Sequence, residues 1–157
     1  MDIHDKAPEF SLPDQNGEEV SLKDLRGKYV VLYFYPRADT PGCTIEACEF
    51  RDSYKKIQKT GAVILGISPD TPKAQKKFEE KYSLPFTLLG DADKKVANAY
   101  EVIQEKNMYG KKVTGVARTT FIIGPDGRIA YIFRKVKPEG HAEEVLGYLK
   151  SAMKGAA

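Results

Sequence analysis

The chain has 157 residues, which fits one domain with its own core better than two. Hydrophobic residues make up 41% and charged residues 30%, a balance that excludes a disordered or low-complexity chain. Lys and Arg number 25 against 22 Asp and Glu, and the resulting +3 is too mild to call for nucleic acid or a membrane surface as partner.

The start, Met1-Asp2-Ile3-His4-Asp5-Lys6, has no apolar stretch that would serve as a signal peptide. Phe10–Leu12 and Glu19–Leu22 flank the turn residues Asp14-Gln15-Asn16-Gly17 and predict an N-terminal β-hairpin. Tyr29–Tyr35 is aromatic, β-branched and almost wholly apolar, the pattern of a central strand buried on both faces, and Pro36 ends it. A helix is expected from Pro41 to Lys59, broken by Gly61. Ala62–Ser68 reads as a second buried strand. Thr71 as N-cap and Pro72 as first helical residue open a helix to Tyr82. Phe86–Leu89 reads as a short strand and Asp93–Tyr100 as a short helix. Arg118–Ile123 and Arg128–Phe133 flank Gly124-Pro125-Asp126-Gly127 as a second hairpin. Pro138–Lys154 closes as an amphipathic helix with Val145, Leu149 and Met153 on one stripe.

The longest apolar runs, Val30–Tyr35 and Ala62–Ile67, fall far short of the roughly 18 residues that span a bilayer. The expectation is therefore a soluble, cytoplasmic α/β domain over residues 1–157, with a central mixed β-sheet flanked by helices. Residues 1–154 are expected to be ordered and 155–157 to fray.

Two cysteines, Cys43 and Cys48, exclude a disulfide framework and a four-cysteine zinc site. His4 and His141 lie far apart in sequence and complete no metal spacing with them, so no metal is expected. Thr40 is a good N-cap and Pro41 a good first helical residue, which puts Cys43 in the first helical turn. There the unpaired N–H groups and the positive end of the helix dipole favour a negative charge such as a thiolate. Cys43, Ala47, Phe50, Tyr54 and Ile57 form the core-facing stripe, so Cys43 points inward. Burial opposes the charge, and Arg118 is the candidate cation to offset it. Cys48 lies five residues on, about 140° around the axis, with the two Cα atoms about 8.6 Å apart on an ideal helix. A disulfide wants about 7 Å or less. Either the thiols are independent or the helix unwinds when they join. On these grounds alone, a buried cysteine serving as a small hydrophobe is an equally good reading.

The stretch Pro36-Arg37-Ala38-Asp39-Thr40-Pro41-Gly42-Cys43-Thr44-Ile45-Glu46-Ala47-Cys48 resembles the Pro-x-x-x-Thr-x-x-Cys motif of the peroxiredoxins. The second cysteine five residues on resembles their Q-type, or bacterioferritin-comigratory-protein, branch. Further matches follow in order: Ala7-Pro8-Glu9-Phe10, Leu65-Gly66-Ile67-Ser68, Phe86-Thr87-Leu88-Leu89 and Arg118-Thr119-Thr120-Phe121. The resemblance implies a thioredoxin-like fold and reduction of hydrogen peroxide and organic hydroperoxides without metal or organic cofactor. It implies Cys43 as peroxidatic nucleophile and Cys48 as the resolving cysteine of a redox disulfide. Thr40, Gly42 and Arg118 would bind peroxide with Cys43, Pro36 would shield it, and Glu46 would support Arg118. A thioredoxin-like dithiol protein is the implied reductant, and a monomer the implied state. A peroxide sensor or disulfide relay with little turnover would carry the same site, and an inert thioredoxin-like adaptor would keep its thiols as packing.

Overall fold

The computed structural model describes residues 1–155, and their side chains except at 106, 108 and 153–155. Strands β1 (Ser11–Pro13) and β2 (Glu19–Ser21) form the expected small hairpin, Ser11 opposite Ser21. Then follow β3 (Val30–Phe34), α1 (Pro41–Lys59), β4 (Val63–Ser68), α2 (Pro72–Tyr82), β5 (Thr87–Gly90), α3 (Lys95–Ala99), β6 (Ile103–Met108), β7 (Lys111–Val116), β8 (Thr119–Ile123), β9 (Ile129–Phe133) and α4 (His141–Gly155). The tail 156–157, part of the segment expected to fray, lies outside the described residues.

The central sheet runs β5-β4-β3-β8-β9. β3 pairs parallel with β4 and antiparallel with β8, so the sheet is mixed, as expected from two helical crossovers followed by a hairpin. Every residue of β3 is buried. Its alternate side chains feed two cores. Val31, Tyr33 and Tyr35 meet Cys43, Ala47, Phe50 and Ile57 of α1 and Val145 and Leu149 of α4 on one face. Val30, Leu32 and Phe34 meet Phe10, Tyr100, Val102 and Phe121 on the other. Among the described residues no helix is long and apolar enough to cross a membrane.

Two local expectations are corrected. The helix expected at Asp93–Tyr100 is shorter, because Lys94 sits at φ 59 and the Asp91 carboxylate takes the N–H groups of Val96 and Ala97, at 3.1 and 2.9 Å. The segment after it, for which the sequence suggested no element, is a two-stranded hairpin. β6 and β7 pair with Met108 opposite Lys111, leaving Tyr109 and Gly110 as a two-residue turn with φ 54 and 77. Positive φ at both positions is the turn geometry that matches strand twist. Its charged strands lack the apolar alternation that marks a half-buried strand.

Candidate active site

Helix α1 begins where the sequence places it. Thr40 is extended at φ −90° and ψ 158°, Pro41 follows as the first helical residue, and Thr44 N–H donates to the Thr40 carbonyl at 2.8 Å. The loop in front of it is pinned from two sides. Ala38 N–H donates to Asp70 at 2.7 Å, and Asp39 accepts from Lys81 Nζ at 2.8 Å and Tyr82 O–H at 2.7 Å. The expected side-chain cap is absent: Thr40 O–H donates instead to the Arg37 carbonyl at 2.9 Å. Local hydrogen bonding of this kind competes with capping, and here it leaves the first-turn N–H groups of Gly42 and Cys43 without that acceptor.

Cys43 is 1% exposed, inside the larger core. Arg118, from the residue before β8, reaches its sulfur with Nη2 at 3.3 Å and Glu46 Oε1 with Nη1 at 2.8 Å. A guanidinium has a fixed fork of donors, so one side chain serves both groups at once. Glu46 lies one helical turn from Cys43 and shares its inner face. Arg118 is seated by its surroundings: Val136 N–H donates to its carbonyl at 3.1 Å. A Cβ built on Gly42 would stand 3.1 Å from Arg118 Nη2 and 3.4 Å from Pro138 Cγ, so glycine leaves room for the fork. Pro36 stands exposed outside this hydrogen-bonded group. Cys48 is half-buried, both cysteines are free, and α1 runs unbroken through the two.

The surroundings are buried and carry unpartnered polar atoms. Tyr33 O–H and Glu46 Oε2 are both buried with no hydrogen-bond partner among the described residues. Burial pushes the Tyr33 hydroxyl well above its ordinary range. His141, at the start of α4, is buried with Nε2 2.7 Å from Thr120 Oγ1, and its ring lies edge-on to Phe50. Burial lowers its affinity for a proton, and the Arg118 charge adds to that effect. Val136, Pro138 and His141 were missed as neighbours of the site. They come from a loop and a helix start that no local sequence signal ties to residues 40–48.

Glu46 gives a pH-dependent expectation. Burial outweighs the Arg118 charge and raises its carboxyl from 4.5 to about 7. A folded-state value above the unfolded one means stability is fully present below the unfolded value and is lost as pH rises through the folded one. The contribution of this group to the unfolding free energy should therefore fall between about pH 4.5 and 7 by an amount on the order of 3 kcal/mol. Glu46→Gln should lose that slope. Denaturant unfolding of both proteins at several pH values checks it, and parallel profiles would refute it.

The comparisons with known proteins fit this geometry. The model of the AhpC/TSA family matches residues 3–132. This chain is a peroxiredoxin of that family. A protein of Coxiella burnetii named as a Bcp peroxiredoxin is 52% identical over 149 residues, covering 95% of this chain and 99% of its own. Peroxiredoxin Bcp of Bacillus subtilis is 47% identical over 96% of both chains. The solved structure of Xanthomonas campestris bacterioferritin comigratory protein, described for its alkyl peroxide reduction, superposes with a TM-score of 0.88 at 40% identity over 91% of each chain. The peroxiredoxin fold and the Bcp, or Q-type, branch are thereby shown, as is the class of enzyme: a thiol-dependent peroxidase.

Proposed function

We propose that Cys43 is the peroxidatic nucleophile and Cys48 its resolving partner, acting on hydrogen peroxide and alkyl hydroperoxides. The observation that carries this reading is the Arg118 fork, 3.3 Å from Cys43 Sγ and 2.8 Å from Glu46 at a helix N-terminus. Arg118 and the first-turn N–H groups both set positive charge beside the attacking sulfur.

A peroxide entering beside Cys43 meets donors and an acceptor. Arg118 and the N–H groups of Gly42 and Cys43 donate to its oxygens. Thr40 Oγ1, with its own proton on Arg37, accepts from the peroxide hydroxyl. The thiolate attacks one oxygen in line with the O–O bond. The S–O bond forms, the O–O bond breaks, and the departing oxygen takes up a proton as water or alcohol. Charge grows on that leaving oxygen in the transition state, where fixed donors are worth most. Cys43 is left as a sulfenic acid. The first turns of α1 unwind, the Cys48 thiolate attacks the Cys43 sulfur, and hydroxide leaves, protonated to water, as the disulfide forms. A thioredoxin-like dithiol protein reduces it by exchange. Pro36 limits the access of water to the mouth once substrate is bound. Two cysteines without a disulfide framework fit a reducing compartment such as the cytoplasm, and membership of this branch favours a monomer.

The test is mass spectrometry after one equivalent of peroxide. Wild type should lose two mass units as the disulfide closes, whereas Cys48→Ser should gain one oxygen. Cys48→Ser should keep one fast oxidation and lose efficient dithiol-linked turnover. Unchanged cycling of that variant would remove Cys48 from the mechanism. One oxidation that no dithiol protein restores would favour the sensor reading.

A further inference from the structure

Closing a Cys43–Cys48 bond needs a stretch of chain that opens and a frame that stays. The ties around the start of α1 divide in that way. In front, Ala38 is fixed. The Asp70 carboxylate that takes its N–H also accepts Ser68 O–H at 2.6 Å, and Ser68 accepts from the buried Gln75 amide at 2.9 Å. Behind, Glu49 accepts Gly140 N–H at 2.8 Å, and Arg51 Nη1 donates to the Tyr82 carbonyl at 2.8 Å. Ala38 and Glu49 are thus held by other elements, and both cysteines lie between them.

Outside the Arg118 fork, the hydrogen bonds that join residues 39–48 to another element all run through Asp39 among the described residues. Its carboxylate accepts from Lys81 Nζ at 2.8 Å and Tyr82 O–H at 2.7 Å. The Lys81 and Asp39 side chains are 58% and 40% exposed, and an ion pair so open to water holds weakly. Asp39 also stands at φ 61, a left-handed conformation that a residue with a Cβ gains by leaving. Weak bonds across an unfavourable backbone make a joint that releases readily. Tyr82 serves both ends, with its hydroxyl on Asp39 in front and its carbonyl on Arg51 behind. It is the last residue of α2, and its ring lies edge-on to buried Phe78 at 5.6 Å, so it belongs to the frame. Opening at Asp39 and stopping at Glu49 frees both cysteines and leaves residues 50–59 of the helix in place.

We propose that Asp39, Lys81 and Tyr82 are positioning residues for the resolving step. They latch the start of α1 in its resting form, and their release lets Cys48 reach the Cys43 sulfenic acid. The Glu49 and Arg51 ties stop the unwinding just past Cys48. The latch rests on the reading of Cys43 as nucleophile and Cys48 as its resolving partner. In the step it controls, the Cys48 sulfur bonds to the Cys43 sulfur, the S–O bond breaks, and the oxygen leaves as water with the thiol proton. The latch residues touch no reacting atom. They set how often the two sulfurs come within bonding distance.

Quenched-flow mixing with hydrogen peroxide at several concentrations, read by mass spectrometry, separates two steps. Oxidation of Cys43 depends on the peroxide concentration, and closure of the disulfide does not. Lys81→Met/Tyr82→Phe removes the front bonds and keeps the ring and carbonyl of residue 82. It should close the disulfide at least about fivefold faster than wild type, the scale of one lost hydrogen bond to a charged group. Its oxidation step should stay within about twofold of wild type. Arg51→Met removes a rear tie that lies beyond Cys48, so its closure rate should stay within about twofold of wild type. In its oxidised form, fast amide hydrogen exchange should spread from residues 40–48 into 49–56. General loosening of the fold would instead speed closure in both variants. Equal closure rates in wild type and the front variant, or equal acceleration in both variants, overturn the latch. Exchange confined to 40–48 in oxidised Arg51→Met overturns the rear stop. Wild type that forms no Cys43–Cys48 disulfide overturns the resolving role of Cys48, and the latch with it.

Discussion

Cys43→Ser is expected to abolish peroxide reduction, lowering the rate on the order of a thousand-fold or more, as removal of a nucleophile does elsewhere. The variant keeps nearly the same volume at a site with 1% exposure, so the core around Ala47 and Phe50 should hold. What it loses is a sulfur nucleophile able to bond to oxygen reversibly. Serine beside Arg118 stays a neutral alcohol, and no sulfenic acid can form for Cys48 to resolve. Stopped-flow peroxide consumption with a dithiol reductant measures the effect, and circular dichroism checks the fold. Consumption within tenfold of wild type would move the nucleophile to Cys48.

Arg118→Ala should cost about 2–4 kcal/mol of transition-state stabilisation, or roughly 30- to 1000-fold in rate. The same side chain also offsets the buried Glu46 carboxylate, so the variant should unfold more easily as well. Arg118→Ala/Glu46→Gln separates the two effects. Removing the stranded carboxylate should restore stability and leave the rate low, because the donor to the peroxide is still missing. Arg118→Lys should recover only part of the rate, since an ammonium lacks the fork that spans Cys43 and Glu46. A rate within tenfold of wild type for Arg118→Ala would demote it to a structural partner.

Much of this site was readable from local chemistry. Thr40-Pro41 opening a helix and Gly61 closing it gave α1 the limits Pro41–Lys59, and the inward position of Cys43 followed from a stripe of 4 and 3 steps. Arg118 could be named as the cation because it opens the expected strand Arg118–Ile123, a candidate member of the sheet that carries the helix. The Thr40 hydroxyl went otherwise. Its choice of the Arg37 carbonyl depends on a loop conformation set by Asp39 at φ 61 and by ties to Asp70, Lys81 and Tyr82, none of them local. The β6–β7 hairpin was invisible because its strands are charged and its turn carries a tyrosine, Tyr109, 99% exposed in the left-handed region. The bond from Val136 N–H to the Arg118 carbonyl and the room that Gly42 leaves for the guanidinium join segments far apart in the chain, and hydrophobic periodicity carries no record of such pairings.

On the proposed mechanism the reacting sulfur, Cys43, is also a wall of the core that holds Tyr35, Ala47 and Phe50. A thiol suits that apolar lining. A sulfenic acid adds an oxygen to a closely packed interior, and an extra heavy atom in such a core costs about 1–3 kcal/mol. The interior that shelters the nucleophile thus begins to reject it once it has reacted. Eviction starts with the oxygen transfer, so the force that pries open the helix is supplied by the substrate and is absent from the resting enzyme.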